Sequence, residues 1–162
     1  MSLYVALGIA IGILIAVWTW LSAGTDVGLV VWAGIVAWGA FFAAGGGLDG
    51  FKRTVAANLS GNLWAFLALF VYTRLGGDNV LILALLVGLI AFIMCVQANL
   101  PLLSFIPGAF LGAATWVGAA GGGVLTRASL MIPLSMILGA LFGYLSEALA
   151  KKISGAPARA EA

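Results

Sequence analysis

The chain has 162 residues, of which 64% are hydrophobic and only 7% charged, and its formal net charge is +2. A soluble domain of this size has nowhere to hide so much apolar surface, because a folded globule needs a polar exterior as well as a core. Histidine is absent and Cys95 is the one cysteine, which removes the commonest general base, the commonest metal ligand and any intramolecular disulfide. The expectation is a lipid-embedded protein that is not an enzyme and holds no cofactor or metal, with too little charge to engage nucleic acid.

Six apolar runs follow in chain order, at about 3–22, 28–44, 55–73, 79–96, 102–119 and 128–149. Each approaches the roughly 17 to 25 residues that a helix needs to cross a bilayer. The sequence therefore predicts an all-α, polytopic integral membrane bundle of six transmembrane helices, a single domain over 1–150, with a short disordered tail at 151–162. The first run lacks a basic flank and is long, so it reads as a retained helix and not as a cleaved signal.

The loops set an orientation. With the amino terminus inside, Lys52, Arg53, Lys151, Lys152 and Arg159 fall on the inner side, and only Arg74 and Arg127 on the outer. Cytoplasmic loops are enriched in cations, so both termini are expected to be cytoplasmic. Trp18, Trp20 and Trp32 then bracket the first outer turn, where an aromatic belt is expected. The stretch GGGLDGFKR at 45–53 lacks the spacing of a phosphate loop and reads as a flexible cytoplasmic turn.

Two short echoes suggest two inverted three-helix halves. AAGGG at 43–47 returns at 119–123, and ALFVY at 68–72 is answered by ALFGY at 140–144. An odd number of spans per half makes the second enter from the opposite side, a plan used by many channels and transporters.

Polar residues inside apolar runs are the candidates for function. Thr54, Asn58 and Asn62 are spaced by four and share one helix face, which should turn into the bundle. Two readings stand side by side: amides lining a route for a hydrogen-bonding solute, or amides bonding neighbouring helices. The segment QANLPLLSFIPG at 97–108 concentrates Gln97, Asn99, Pro101, Ser104 and Pro107. It reads either as an ordinary turn over 97–103 or as a re-entrant break, with Ser104 a possible cap and Pro107 suited to a first helical turn. Thr115 completes the set of expected lining residues: Asn58, Asn62, Gln97, Asn99, Ser104 and Thr115.

Three GxxxG pairs, Gly8 with Gly12, Gly108 with Gly112 and Gly139 with Gly143, allow close helix approach, within the bundle or between protomers of a homo-oligomer. Glu147 lies one turn from Lys151 and predicts an interfacial ion pair. Pro133 should kink the sixth helix. No ionisable group sits at mid-membrane, as coupled carriers usually require, so the sequence favours passive movement of a small neutral or weakly polar solute. The competing class is a scaffold or accessory subunit that binds another membrane protein through its small-residue faces.

WAG at 32–34, GGLDG at 46–50, SGNLWA at 60–65, AFIMCVQA at 91–98 and LSFIPGAFLGA at 103–113 together resemble the YcdZ-like bacterial inner-membrane proteins. The likeness runs from the first helix to about Tyr144. It implies a bacterial inner-membrane location and transfers no catalytic or binding residue, since no activity is assigned to that family.

Overall fold

A computed structural model describes residues 1–119 and 122–155. Its helices are α1 (Leu3–Ala23), α2 (Val31–Ala43), α3 (Gly47–Arg74), α4 (Val80–Val96), α5 (Ile106–Gly118) and α6 (Arg127–Ser154), with two short 3-10 turns at Gln97–Asn99 and Pro101–Leu103. Helix is what an apolar chain must form in lipid, since it satisfies its own backbone groups.

Local chemistry sets the helix ends. Ser2 and Asn79 accept amide hydrogens from the first turns of α1 and α4, and Thr126 and Ser129 form a reciprocal capping box at α6. Gly45, Gly46 and Gly47 all have positive φ, so only glycine turns the chain easily between α2 and α3.

The lengths differ from the sequence expectation in an informative way. Among the described residues, four helical segments are long and apolar enough to span a bilayer: Leu3–Ala23, Gly47–Arg74, Val80–Asn99 and Arg127–Ser154. By contrast, α2 and α5 have 13 residues each, about 20 Å of helix against a hydrocarbon core of about 30 Å. α2 begins only at Val31 and stops before the glycine turn, and the second 3-10 turn takes 102–103 from the fifth run, so the expected bounds 28–44 and 102–119 are too wide. α3 and α6 are longer than expected. Residues 47–53, expected as a flexible turn, form the start of α3, and 151–154 extend α6 into the expected tail. α6 runs through Pro133 as one helix.

The core is made mostly of small residues. Ala33, Ala37, Met136 and Ala140 join α2 to α6, Ala6, Ala10 and Ala150 join α1 to α6, and Ala65, Trp116 and Ile132 join α3, α5 and α6. Such interfaces let backbones approach, which is how helices associate where the surroundings are as apolar as the side chains. Trp18 departs from the expected aromatic belt. It is fully buried, donates its indole N–H to the Val31 carbonyl at 2.9 Å, and fills space beside Gly34 that any side chain there would obstruct. Trp20 and Trp32 are exposed as expected.

The amide of Gly47, at the start of α3, donates to Glu147 Oε2 near the end of α6 at 2.7 Å. This bond brings the α3 start and the α6 end to one side of the bundle, and the Ala6, Ala10 and Ala150 cluster puts the start of α1 there too. Lys52, Arg53, Lys151 and Lys152 therefore share one end, whereas Arg74 and Arg127 lie at the far ends of α3 and α6. Arg159 lies outside the described residues.

Candidate functional site

Thr54, Asn58 and Asn62 follow one another at each turn of α3, on the face that meets α5 and α6. Their exposures are 0%, 1% and 3%. The approach of α5 is set by glycine: a side chain at Gly112 would collide with the Asn58 backbone, and one at Gly61 with the Ala109 carbonyl. The polar stripe is thus pressed into a seam with almost no room for side chains.

Within that seam the two asparagines behave differently. Asn62 Nδ2 donates to the Asn58 carbonyl at 2.9 Å, and lies 3.1 Å from the Gly112 carbonyl and 3.2 Å from Met136 Sδ. It ties α3 to α5 and α6, the bonding role foreseen as one of two readings. Asn58 makes no such bond. Thr54 Oγ1, both polar side-chain atoms of Asn58, and Asn62 Oδ1 are buried without a hydrogen-bond partner. Each such atom costs about 1–3 kcal/mol when buried, which makes their grouping on one stripe unusual.

A cavity of about 230 Å³ opens beside the stripe, lined by Asn62, Leu63, Phe66, Trp116 and Pro133 among others. Trp116 commits its indole N–H to the Gly122 carbonyl at 3.2 Å; the cavity surface is almost wholly apolar, and the unpaired Asn62 Oδ1 is itself buried. Thr115, buried on α5, lies one residue before Trp116.

The remaining expected lining residues are elsewhere. Gln97 accepts from the Trp64 indole and donates to Ser60 Oγ, both at 2.9 Å, so it clasps the end of α4 to α3. Asn99 Nδ2 bonds the Val96 carbonyl and Ser104 Oγ the Pro101 carbonyl, both locally and both exposed. Ser104 does not cap α5, whose N-cap position is Phe105; Pro107 occupies the first turn as expected. The segment 97–103 takes the form of the turn reading, two short 3-10 pieces.

The GxxxG pairs also divide. Gly108 and Gly112 face α3, and Gly139 and Gly143 face α2, whereas Gly8 and Gly12 have open space where a side chain would go. Glu147 forms the expected pair with Lys151 at 2.7 Å. Its second bond, to the start of α3, had no sequence signal beyond an acidic residue and an uncapped glycine-rich helix start one hundred residues apart.

Comparison with known proteins places these observations in a family. Residues 8–151 match the family described as "Protein of unknown function (DUF1097)". The chain is 37% identical over 147 residues to inner membrane protein YcdZ of Escherichia coli (strain K12), covering 89% of this chain and 83% of the relative. It is 36% identical to inner membrane protein YcdZ of Salmonella typhimurium, over 89% of this chain and 85% of that one. It is also 33% identical to the uncharacterized protein YahC of Escherichia coli (strain K12), over 93% of both. No solved structure matches the chain.

Proposed function

The chain belongs to the DUF1097 family of YcdZ-like inner-membrane proteins, and from that premise we propose that it is a passive facilitator for a small neutral solute, with the α3 stripe as its selective element. The observation that carries this reading is the set of four buried, unpaired polar atoms on Thr54, Asn58 and Asn62, of which Asn62 alone borders a largely apolar cavity. Purely structural amides in a membrane bundle earn their place by bonding a neighbour. Asn58 bonds none, so its retention is better accounted for by a passing molecule that takes up its hydrogen bonds.

Two inverted three-helix halves fit the same reading. The helix lengths run 21, 13 and 28 residues, then 17, 13 and 28. The short helix of each half packs on the long helix of the other: α2 on α6 through Gly34 and Gly139, and α5 on α3 through Gly112 and Asn58. Each short helix has a tryptophan four residues after that glycine, Trp38 and Trp116. The echoes that suggested the repeat contribute less. ALFVY lies near the end of α3 but ALFGY at the middle of α6, and AAGGG at 119–123 includes residues outside the described ones. In this reading the end carrying Lys52, Arg53, Lys151, Lys152 and both termini is cytoplasmic.

The test is stopped-flow swelling of proteoliposomes against a panel of neutral solutes, with empty vesicles alongside. A rate above the empty vesicles that disappears in Asn58→Leu supports the reading; rates equal to empty vesicles for every solute refute it.

A second reading rests on a separate observation. Gly8 and Gly12 present an unfilled small-residue face on α1, as a scaffold, accessory subunit or homo-oligomer would use. Purification with a fixed partner at constant stoichiometry, without solute flux, would favour it.

A further inference from the structure

The transport reading leaves the solute's chemistry open, and the hydrogen-bond inventory of the stripe narrows it. We infer that the stripe receives a small neutral molecule that brings N–H or O–H donors of its own, in preference to one that brings only acceptors. This rests on the facilitator reading above.

Asn62 Nδ2 is surrounded by three acceptors, the carbonyls of Asn58 and Gly112 and the sulfur of Met136. Rotating the amide by half a turn would set Oδ1 against all three, so the network fixes which atom is the oxygen. The atom left for a visitor is Oδ1, which can only accept. The donating side of Asn62 is spent on holding α3, α5 and α6 together.

The rest of the stripe continues this bias. Thr54 Oγ1 and Asn58 Oδ1 are unpaired oxygens with lone pairs to offer, and Asn58 Nδ2 is the one unpaired nitrogen among them. Three acceptor oxygens thus succeed one another along α3, with an amide donor at the middle position and a hydroxyl hydrogen at Thr54. A molecule rich in donors can satisfy every station. One with acceptors alone leaves the Asn62 and Asn58 oxygens unpaired as it passes, and buried unpaired groups are what a polar site discriminates against most strongly.

Charge is disfavoured on both sides. Among the described residues no Asp, Glu, Lys or Arg is buried, so a cation meets no carboxylate and an anion meets mostly oxygen. Successive stripe residues stand about 6 Å apart along the helix, too far for the three oxygens to enclose one ion. The cavity at Asn62 is about 230 Å³, against roughly 30 Å³ for a water molecule in the liquid. The size fits a molecule of a few heavy atoms.

The experiment uses the wild-type protein in proteoliposomes and two classes of neutral solute of similar size. Urea and acetamide bring N–H donors; trimethylamine N-oxide and dimethyl sulfoxide bring only acceptors. The expected result is a protein-dependent rate for urea at least about tenfold that for trimethylamine N-oxide, a preference of about 1.4 kcal/mol. Thr54→Val, which keeps the side-chain shape and removes one station, should lower the urea rate with no loss of thermal stability. Equal protein-dependent rates for both classes would overturn the donor preference and leave the facilitator reading standing. No protein-dependent rate for any solute would overturn both.

Discussion

The bundle contains two seams built on one principle and finished in opposite ways. Where α6 meets α2, Gly139 lies against Gly34; where α3 meets α5, Gly61 and Gly112 let the backbones touch. In the first seam the buried Trp38, Ser135 and Ser146 are all engaged. Trp38 donates to Ser146 Oγ at 3.1 Å, Ser146 to the Gly143 carbonyl, and Ser135 Oγ both accepts from the Val30 amide and donates to the Met131 carbonyl. In the second, four polar atoms are left without partners. Equal packing with unequal hydrogen bonding separates a seam whose buried polar groups are satisfied from one that keeps four of them unpaired.

The packing half of this comparison can be broken at its glycines. Gly139→Val and Gly112→Val each drive a side chain into backbone, which cannot swing aside, so each should cost about 3 kcal/mol or more. Thermal unfolding in detergent followed by tryptophan fluorescence would show it, and a loss below about 1 kcal/mol at either site would mean that the seam is looser than its contacts imply.

A smaller effect is expected where the two halves of the chain are fastened. Glu147 joins the start of α3 to Lys151, so Glu147→Gln keeps a hydrogen-bonding group but loses the charge. Removing an anion from a helix start in a partly buried setting should cost about 1–2 kcal/mol. The deficit should shrink in high salt only to the extent that the half-buried pair with Lys151 contributes. Unchanged stability at low salt would argue that the α3 start is held by its glycine turn alone.

The hydrogen-bonding half of the comparison is sharpened by the two asparagines, for which opposite signs are expected. Asn62→Leu removes the tie to Gly112 and should destabilise by about 1 kcal/mol. Asn58→Leu replaces two unpaired polar atoms with apolar ones of similar size and should stabilise by about 1 kcal/mol while abolishing flux. A variant that gains stability as it loses activity is the signature of a group kept for function. If Asn58→Leu destabilises instead, Asn58 holds the bundle together and its amide is not kept for a solute.

Much of this was legible in the sequence, and the limits have physical causes. Apolar runs marked six helical segments, because hydrocarbon leaves the backbone no alternative. Four-residue spacing put Thr54, Asn58 and Asn62 on one buried face, and Glu147 opposite Lys151. What escaped depends on contacts between distant parts of the chain. Gln97 reads as a candidate lining residue until Ser60 and Trp64 are found beside it. Trp18 reads as an interfacial anchor until Gly34 provides the space that buries it. The division between Asn58 and Asn62 turns on the positions of Gly112 and Met136, which no spacing rule reveals. The shortness of α2 and α5 escaped because hydropathy does not register where a glycine or proline turn ends a helix within an apolar run.

The smallest effect is expected where the sequence looks most like the seams. Gly8 and Gly12 repeat the spacing of Gly108 with Gly112, but both have open space where a side chain would go. Gly8→Leu should therefore change the stability of the isolated chain by less than about 0.5 kcal/mol, in contrast to Gly112→Val. The same variant tests what the α1 face is for, because a leucine there would block another helix from approaching. Native mass spectrometry from mild detergent separates the cases. A shift from oligomer to monomer on substitution assigns the face to self-association, and an unchanged distribution assigns it to lipid. A large loss of monomer stability would contradict the open surroundings of Gly8 and place α1 against a neighbour within the bundle.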